Sequence, residues 1–307
     1  MTKISLIGAG NLGASIAYEI ATRNLADELV LVDIAKELCC GQAMDIQQAL
    51  PFKNKTKVYD GDYPNIANSD IIVITAGKPR TPDMTDRLQL AKINIKIMNS
   101  VLEQIKHHSP NSIIITISNP LDIINHHIHK FGFDRHKVIG SSSQLDSARF
   151  RTVLGHPDKK VEAYVIGEHG NDQVPVFSKV KINGELKQFT DEEKQSLKEQ
   201  LKYSSLCVIE KKGCTVFAPT SNTVDLVEAI VKDQNKLVVC STNLENDYYC
   251  SDVSLGVPVI LNKNGIKEVV EWDLSAEELE QFRAAAKKLQ DFYQELTESV
   301  EVAPIHE

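Results

Sequence analysis

The sequence predicts an α/β protein: a doubly wound parallel sheet with helices on both faces, followed by an α+β lobe. Three observations carry that expectation. Short apolar runs alternate with helical patterns through the first half, as in strands joined by crossover helices. A glycine-rich turn separates the first strand from the first helix. Beyond about residue 140 the alternation gives way to hairpin signals and long polar helices. The domains are therefore expected at 1–140 and 141–307.

Each element follows from its own pattern. Ile4, Leu6 and Ile7 form an apolar run too short for a helix before Gly8, and read as a buried strand. Leu12, Ile16, Ala17 and Ile20 recur at helical spacing, and between the two patterns lies Gly8-x-Gly10-x-x-Gly13. After a strand and before a helix, such glycines make a tight turn, admit a pyrophosphate to the backbone and let helix pack on strand. The anion then rests on the free N–H groups of the helix start. Glycines cluster in many loops for structural reasons alone, so the second strand decides. Leu29-Val-Leu-Val-Asp33 ends in an acid twenty residues beyond Gly13, where a carboxylate takes the adenosine ribose hydroxyls. The first half thus reads as a Rossmann-type dinucleotide-binding domain. No arginine follows Asp33 directly, which favours NAD over its 2′-phosphorylated relative.

Glu37 to Leu50 reads as a helix stopped at Pro51, and Lys57-Val-Tyr59 as a third strand. Asp70 to Thr75 is a fourth strand running into Ala76-Gly77, and Leu88 to His107 a long helix. Ser112 to Ile117 is a fifth strand, entering Ser118-Asn119-Pro120; Leu121 to Lys130 is a helix and Lys137-Val-Ile139 a strand. Ligands of such sheets bind outside the C-terminal strand ends, and Gly8, Asp33, Gly77 and Asn119 all fall there. In the second half, Leu145 to Leu154 reads as a helix and Val161 to Ile166 as a strand before Gly167-Glu168-His169-Gly170. Asn183-Gly184 is a hairpin turn signal. Asp191 to Lys212 and Val216 to Lys232 read as helices, Leu237-Val-Val239 and Val257 to Leu261 as strands. Ser275 caps a final amphipathic helix to about Leu296, and the last ten residues read as a loose tail.

Composition narrows the function classes. The chain is 42% hydrophobic and 25% charged with a net charge of -8, which argues against a nucleic-acid or anionic-membrane surface. An anionic substrate would need a local cluster of arginines. Six cysteines show neither C-x-x-C nor zinc spacing, so no metal site is expected and the thiols read as small buried hydrophobes in a reducing cytosol. With no signal-like opening and no eighteen-residue apolar run, a soluble cytoplasmic protein is expected.

Three segments carry unusual charge. Lys78 to Arg87, directly after the fourth strand, holds two prolines and few apolar residues and reads as a lid. Asp146-Ser-Ala-Arg149 puts an acid and a base on one helix face. Glu168-His169-Gly170 supplies an imidazole. Three of the chain's seven arginines lie in these segments. A solvated surface charge is the usual fate of an arginine; their company with an acid and a histidine is what points to a site.

At these residues the chain resembles the NAD-dependent L-lactate and L-malate dehydrogenases, and within them the malate enzymes of lactate-dehydrogenase-like type. The resemblance spans about residues 3–296. It rests on Gly8-Ala-Gly-Asn-Leu-Gly13, Thr75-Ala-Gly77, Ser118-Asn-Pro-Leu-Asp122, Leu145-Asp-Ser-Ala-Arg149 and Gly167-Glu-His-Gly170, in the family's order. It implies an NAD-dependent 2-hydroxy acid dehydrogenase. His169 would exchange a proton with the substrate oxygen, and Asp146 would fix its tautomer. Arg149 would grip the C1 carboxylate with its fork. Arg87 would polarise the carbonyl as the lid closes, and Asn119 would hold the substrate beside the nicotinamide. Cofactor contacts would come from Gly8, Gly10, Asn11, Leu12, Gly13, Asp33, Thr75, Ala76, Gly77, Asn94, Ile117 and Asn119. A homo-oligomer, dimer or tetramer, is implied as well, built partly through helices flanking the cofactor site.

The substrate's variable end meets an arginine in the malate enzymes and typically glutamine in the lactate enzymes. Arg80 resembles that arginine, Pro219 also matches the malate pattern, and Thr215 would line the same pocket. The lid, however, is one residue longer than the usual pattern between Arg80 and Arg87. Asp83 stands where glycine is common, Arg87-Leu-Gln-Leu is more lactate-like, and Asn171 replaces a usual aspartate. Malate dehydrogenase is the leading reading, with L-lactate or a broader L-2-hydroxy acid dehydrogenase as the alternative. A short-chain reductase would need Tyr-x-x-x-Lys and a zinc alcohol dehydrogenase cysteine ligands; the chain has neither. A non-catalytic NAD-binding protein would be expected to lose His169, Asp146, Arg149 or Arg87, all of which are present.

Overall fold

The computed structural model describes residues 1–79 and 87–299, the side chains of Arg87 and Ser299 excepted. Strands β1 (Lys3–Ile7), β2 (Glu28–Val32) and β3 (Lys57–Asp60) alternate with helices α1 (Asn11–Thr22) and α2 (Lys36–Gln48). Then follow β4 (Ile71–Ile74), α3 (Arg87–His108), β5 (Ile113–Thr116), α4 (Leu121–Lys130) and β6 (Val138–Gly140). These six strands are parallel in the order β3-β2-β1-β4-β5-β6.

Every other residue of each strand faces one side. Ile4, Leu6, Leu29, Leu31, Ile71, Val73, Ile113 and Ile115 belong to one buried layer, with Ile16, Ala17 and Ile20 of α1. Their neighbours Val30, Val32, Ile72, Ile74 and Ile114 belong to the other, with Ala91 and Ile95 of α3 and Ile123, Ile124 and Ile128 of α4. Burial on both faces is why the strands read as unbroken apolar runs.

The second half comprises α5 (Ser143–Val153), β7 (Val161–Glu162), β8 (Val165–Gly167), β9 (Gln173–Pro175), β10 (Lys181–Ile182) and β11 (Glu185–Leu186). After them come α6 (Asp191–Lys212), α7 (Phe217–Val231), β12 (Lys236–Glu245), β13 (Ser251–Asn262), β14 (Gly265–Val269) and α8 (Ala276–Ser299). The sheet does not end near Gly140: Ser241 of β12 pairs antiparallel with it, and the order continues β6-β12-β13-β8-β9. Asn183 and Gly184, at φ 52° and 87°, turn the β10–β11 hairpin as a primed turn requires.

Several expectations need correction. The run from Val161 to Ile166 is not one strand, because β7 pairs with β10 in a small sheet while β8 joins the main one. β12 and β13 are far longer than their apolar centres, and β14 carries no apolar pattern that announces it. Of the cysteines, Cys39, Cys240 and Cys250 are buried, but Cys40 and Cys207 are only partly so and Cys214 is exposed. Ser275 does cap α8, its hydroxyl accepting from Glu278 N–H at 3.3 Å while Glu278 accepts from Ser275 N–H at 3.0 Å. Two residues assigned to the tail, Glu298 and Ser299, still belong to α8; 300–307 lie outside the described residues. No described helix is long and apolar enough to cross a membrane.

Candidate active site

The C-terminal ends of β1, β2 and β4 converge on the glycine turn. Gly8 adopts φ +105°, and a Cβ there would stand 2.6 Å from Thr75 Oγ1. A Cβ on Gly13 would lie 1.9 Å from the Gly8 carbonyl oxygen, so α1 can approach β1 only with glycine at that position. Gly10 differs: nothing lies within 4 Å of the place its Cβ would take. The start of α1 has no side-chain cap, and the amides of Asn11 and Leu12 have no partner among the described residues. An open backbone beside an uncapped helix N-terminus is a cradle for a pyrophosphate. At its edge, Asp33 accepts hydrogen bonds from Ala9 N–H at 2.6 Å and Ala35 N–H at 2.8 Å. That fixes a carboxylate with spare lone pairs at the end of β2. These features fit a dinucleotide.

The neighbouring loops are tied to one another. Thr75 donates to the Gly8 carbonyl at 2.9 Å, and Ser118 to the Ala76 carbonyl at 2.6 Å. Asn94, only 2% exposed, accepts from Lys78 N–H and donates to the carbonyls of Lys78 and Asn119. Both of its amide hydrogens are used. Asn94, expected among the cofactor contacts, thus holds two site loops together. Leu12 and Ile117 are partly buried and pack against the core, as does Ala76. Gly77 follows in the same loop, and Asn11 and Asn119 are exposed.

In the second half, β8 ends at Gly167 and the chain turns into Glu168-His169-Gly170. His169 Nδ1 lies 2.7 Å from Asp146 Oδ2, and Arg149 Nη1 donates to Asp146 Oδ1 at 3.0 Å. Asp146 and Arg149 share one face of α5, three residues apart. A carboxylate on Nδ1 sets the tautomer with Nδ1–H, and Nε2 has no partner among the described residues. Burial opposes charge on this imidazole, but the charge and hydrogen bond of Asp146, with the further charge of Asp122, prevail and raise its pKa. The ring is 20% exposed, open enough to meet a substrate.

Asp122, for which sequence reasoning offered no role, accepts from His169 N–H at 2.6 Å and from Ser241 Oγ at 2.6 Å. Its signals were its place in Ser118-Asn-Pro-Leu-Asp122 and an acid in the first turn of a helix; Ser241 has none. Thr215 sits partly buried in the link between α6 and α7 and makes no hydrogen bond to the His169 cluster among the described residues. Arg80 lies outside the described residues; Arg87 opens α3, its side chain undescribed.

Comparison with known proteins agrees with this geometry. Residues 2–140 match the model for the lactate/malate dehydrogenase NAD binding domain, and 143–300 that for the lactate/malate dehydrogenase α/β C-terminal domain. The malate dehydrogenase of Halobacterium salinarum is 43% identical over 304 residues, covering 96% of this chain and 100% of that protein. An L-lactate dehydrogenase of Priestia megaterium is 36% identical over 300 residues, covering 94% of each. The crystal structure of Cryptosporidium parvum malate dehydrogenase superposes with a TM-score of 0.91 at 34% identity, over 97% of this chain and 99% of that one.

Proposed function

The chain belongs to the lactate/malate dehydrogenase family, and from that premise we propose that it is an NAD-dependent malate dehydrogenase interconverting malate and oxaloacetate. One observation carries the chemistry: an imidazole held by Asp146 through Nδ1, with Nε2 open and the Arg149 guanidinium on the same carboxylate. NADH, when bound, supplies the hydride. The uncapped start of α1 and the open face at Gly10 take its pyrophosphate, and Asp33 its ribose hydroxyls. His169 gives the Nε2 proton to the substrate carbonyl oxygen in reduction and removes it from the hydroxyl in oxidation. Asp146 keeps the other nitrogen protonated, so the proton moves only at Nε2. Arg149 keeps donors without partners among the described residues, enough for a two-pronged grip on the C1 carboxylate. Asn119, on the loop spaced by Asn94, steadies the substrate from the cofactor side. Arg87 polarises the carbonyl, Arg80 pairs with the distal carboxylate and Thr215 lines that pocket; these three roles rest on the sequence pattern.

Malate is favoured over lactate by the greater identity to a malate than to a lactate enzyme and by Arg80 in place of glutamine. Steady-state rates with NADH and a panel of 2-oxo acids test this. Oxaloacetate would bring Arg80 a second carboxylate, whereas pyruvate brings only a methyl and would leave a guanidinium desolvated by lid closure unpaired. Oxaloacetate should therefore lead by very roughly 10²–10³ in kcat/KM, with Arg80→Gln erasing the preference. Pyruvate leading, with Arg80→Gln silent, would establish the lactate reading instead. The enzyme is further proposed to act in the cytoplasm as a homo-oligomer. Support for assembly comes from α6, which exposes Tyr203, Leu206 and Ile209.

A further inference from the structure

Asp122 is almost wholly buried, 3% exposed, and nothing in the chemistry above uses it. It lies in the first turn of α4, three residues beyond Asn119, and it touches two other elements. Ser241 of β12 donates to one carboxylate oxygen and the main-chain N–H of His169 to the other, each at 2.6 Å. Ser241 is itself fixed: its carbonyl accepts from Asn125 of α4 at 3.1 Å, and a Cβ on Gly140 would come within 2.7 Å of its own. A buried carboxylate is costly unless its oxygens are satisfied. Here both are, by a serine in a strand shared by the two halves and by the backbone of the histidine loop.

We infer that Asp122 is a positioning residue for His169: it holds the main chain that carries the ring, while Asp146 holds the ring itself. The inference rests on His169 being the proton donor. Two anchors on different elements, α4 and α5, define where Nε2 stands relative to Asn119, because Asn119 lies in the loop that leads directly into α4 and its carbonyl is held by Asn94. The charged groups acting on the imidazole are Asp146 and Arg149 from α5 and Asp122 from α4, with Glu168 acting on Asp122. Burial pushes the Asp122 carboxyl up to about 7 against the two hydrogen bonds that favour its ionised form, and its charge in turn favours the imidazolium. Position and charge are thus supplied by one group.

The test is Asp122→Asn in the full-length enzyme with NADH and oxaloacetate across pH. The amide can still accept from His169 N–H, with the Ser241 hydroxyl turned to accept, but it carries no charge. A reacting group misplaced by about 1 Å can lose about 10²-fold, so kcat should fall roughly 10- to 10²-fold while the NADH Kd stays unchanged. The alkaline fall of kcat/KM should also move to lower pH, which loss of packing alone would not produce. Ser241→Ala, a milder change for use where the first variant fails to fold, should shift both readouts the same way but less. Wild-type kcat and an unmoved pH limb in either folded variant would overturn the inference. His169→Asn is assayed alongside: if it keeps its turnover, the proton-donor reading has failed too. If it is inactive while Asp122→Asn is normal, only the role of Asp122 falls.

Discussion

At His169 two opposing pressures meet, and their balance sets a pH dependence. Burial disfavours the imidazolium, Asp146 and Asp122 favour it, and the pKa lies above its ordinary value of 6.5. Reduction consumes the imidazolium, so kcat/KM for oxaloacetate should hold on the acid side and fall as pH rises through the raised pKa. Malate oxidation, which needs the neutral ring, should rise over the same range. The sign for stability is that of a raised base: the contribution is full below 6.5 and lost as pH rises through the folded pKa. His169→Asn should abolish the shared titration and cut turnover by about 10²–10⁴, with NADH binding intact; substantial residual turnover would place the donor elsewhere. Under the proposed function Asp33 should carry the cofactor preference, since a 2′-phosphate would meet its carboxylate. Equal efficiency with NADPH would remove it from that role. Asp33 is legible in the sequence from its place at the end of the second strand, and His169, Asp146 and Arg149 from the charged segments and the motifs that resemble the family. Ser241 is not, since a serine in a strand gains meaning only once β12 lies beside α4.

Two elements allow sharper contrasts. In α1, Gly13→Ala would drive a Cβ into the Gly8 carbonyl, backbone against backbone, whereas Gly10→Ala meets open space at an ordinary φ of -69°. The first should lose stability by about 1–3 kcal/mol together with NADH affinity. The second should melt like wild type and lose affinity alone, because its methyl fills the pyrophosphate approach. Equal melting temperatures for the two would contradict the packing described here. In α4, His126 Nδ1–H donates to Asn243 Oδ1 at 2.9 Å, and His127 lies between Asn99 and Tyr293 at 2.6 and 2.9 Å. Burial, partly offset by Asn243 and Asp252 at His126, lowers both to about 4. Neutral rings therefore stabilise the fold fully above 6.5, and that contribution, a few kcal/mol per ring, drains away between 6.5 and about 4. Urea midpoints measured over that window should fall steeply, and His126→Gln with His127→Gln should flatten the slope; an unchanged slope would assign the acid sensitivity to other groups. The parallel strands are legible because both faces are apolar. β12 and β13 are not, because Ser241, Thr242, Asn243 and Ser254 are buried within them and interrupt the hydrophobic pattern; the first three are hydrogen-bonded, while Ser254 Oγ has no partner among the described residues.

Across the molecule, one sheet runs through both halves, and the change at Gly140 is one of strand direction rather than a gap. The sequence marks that change by its loss of alternation, but cannot show that β12 returns to the edge of β6 from a hundred residues away. The same long-range ordering leaves α6 outside the main core. This helix spans 22 residues and buries Leu201 as its one fully covered side chain among the described residues. Tyr203, Leu206 and Ile209 stand three apart and are 64%, 44% and 44% exposed, which puts them along one stripe. An apolar stripe on an acidic chain invites cover by an apolar surface, and a second copy presents one. Sedimentation at micromolar concentration should then show a dimer or tetramer. Leu206→Lys with Ile209→Lys would place two charges in that contact, and an unpaired buried charge is costly. The double variant should sediment as a smaller species with unchanged circular dichroism, because both side chains already face outward in the single chain. A monomeric wild type, or a variant of unaltered mass, would remove α6 from the assembly surface.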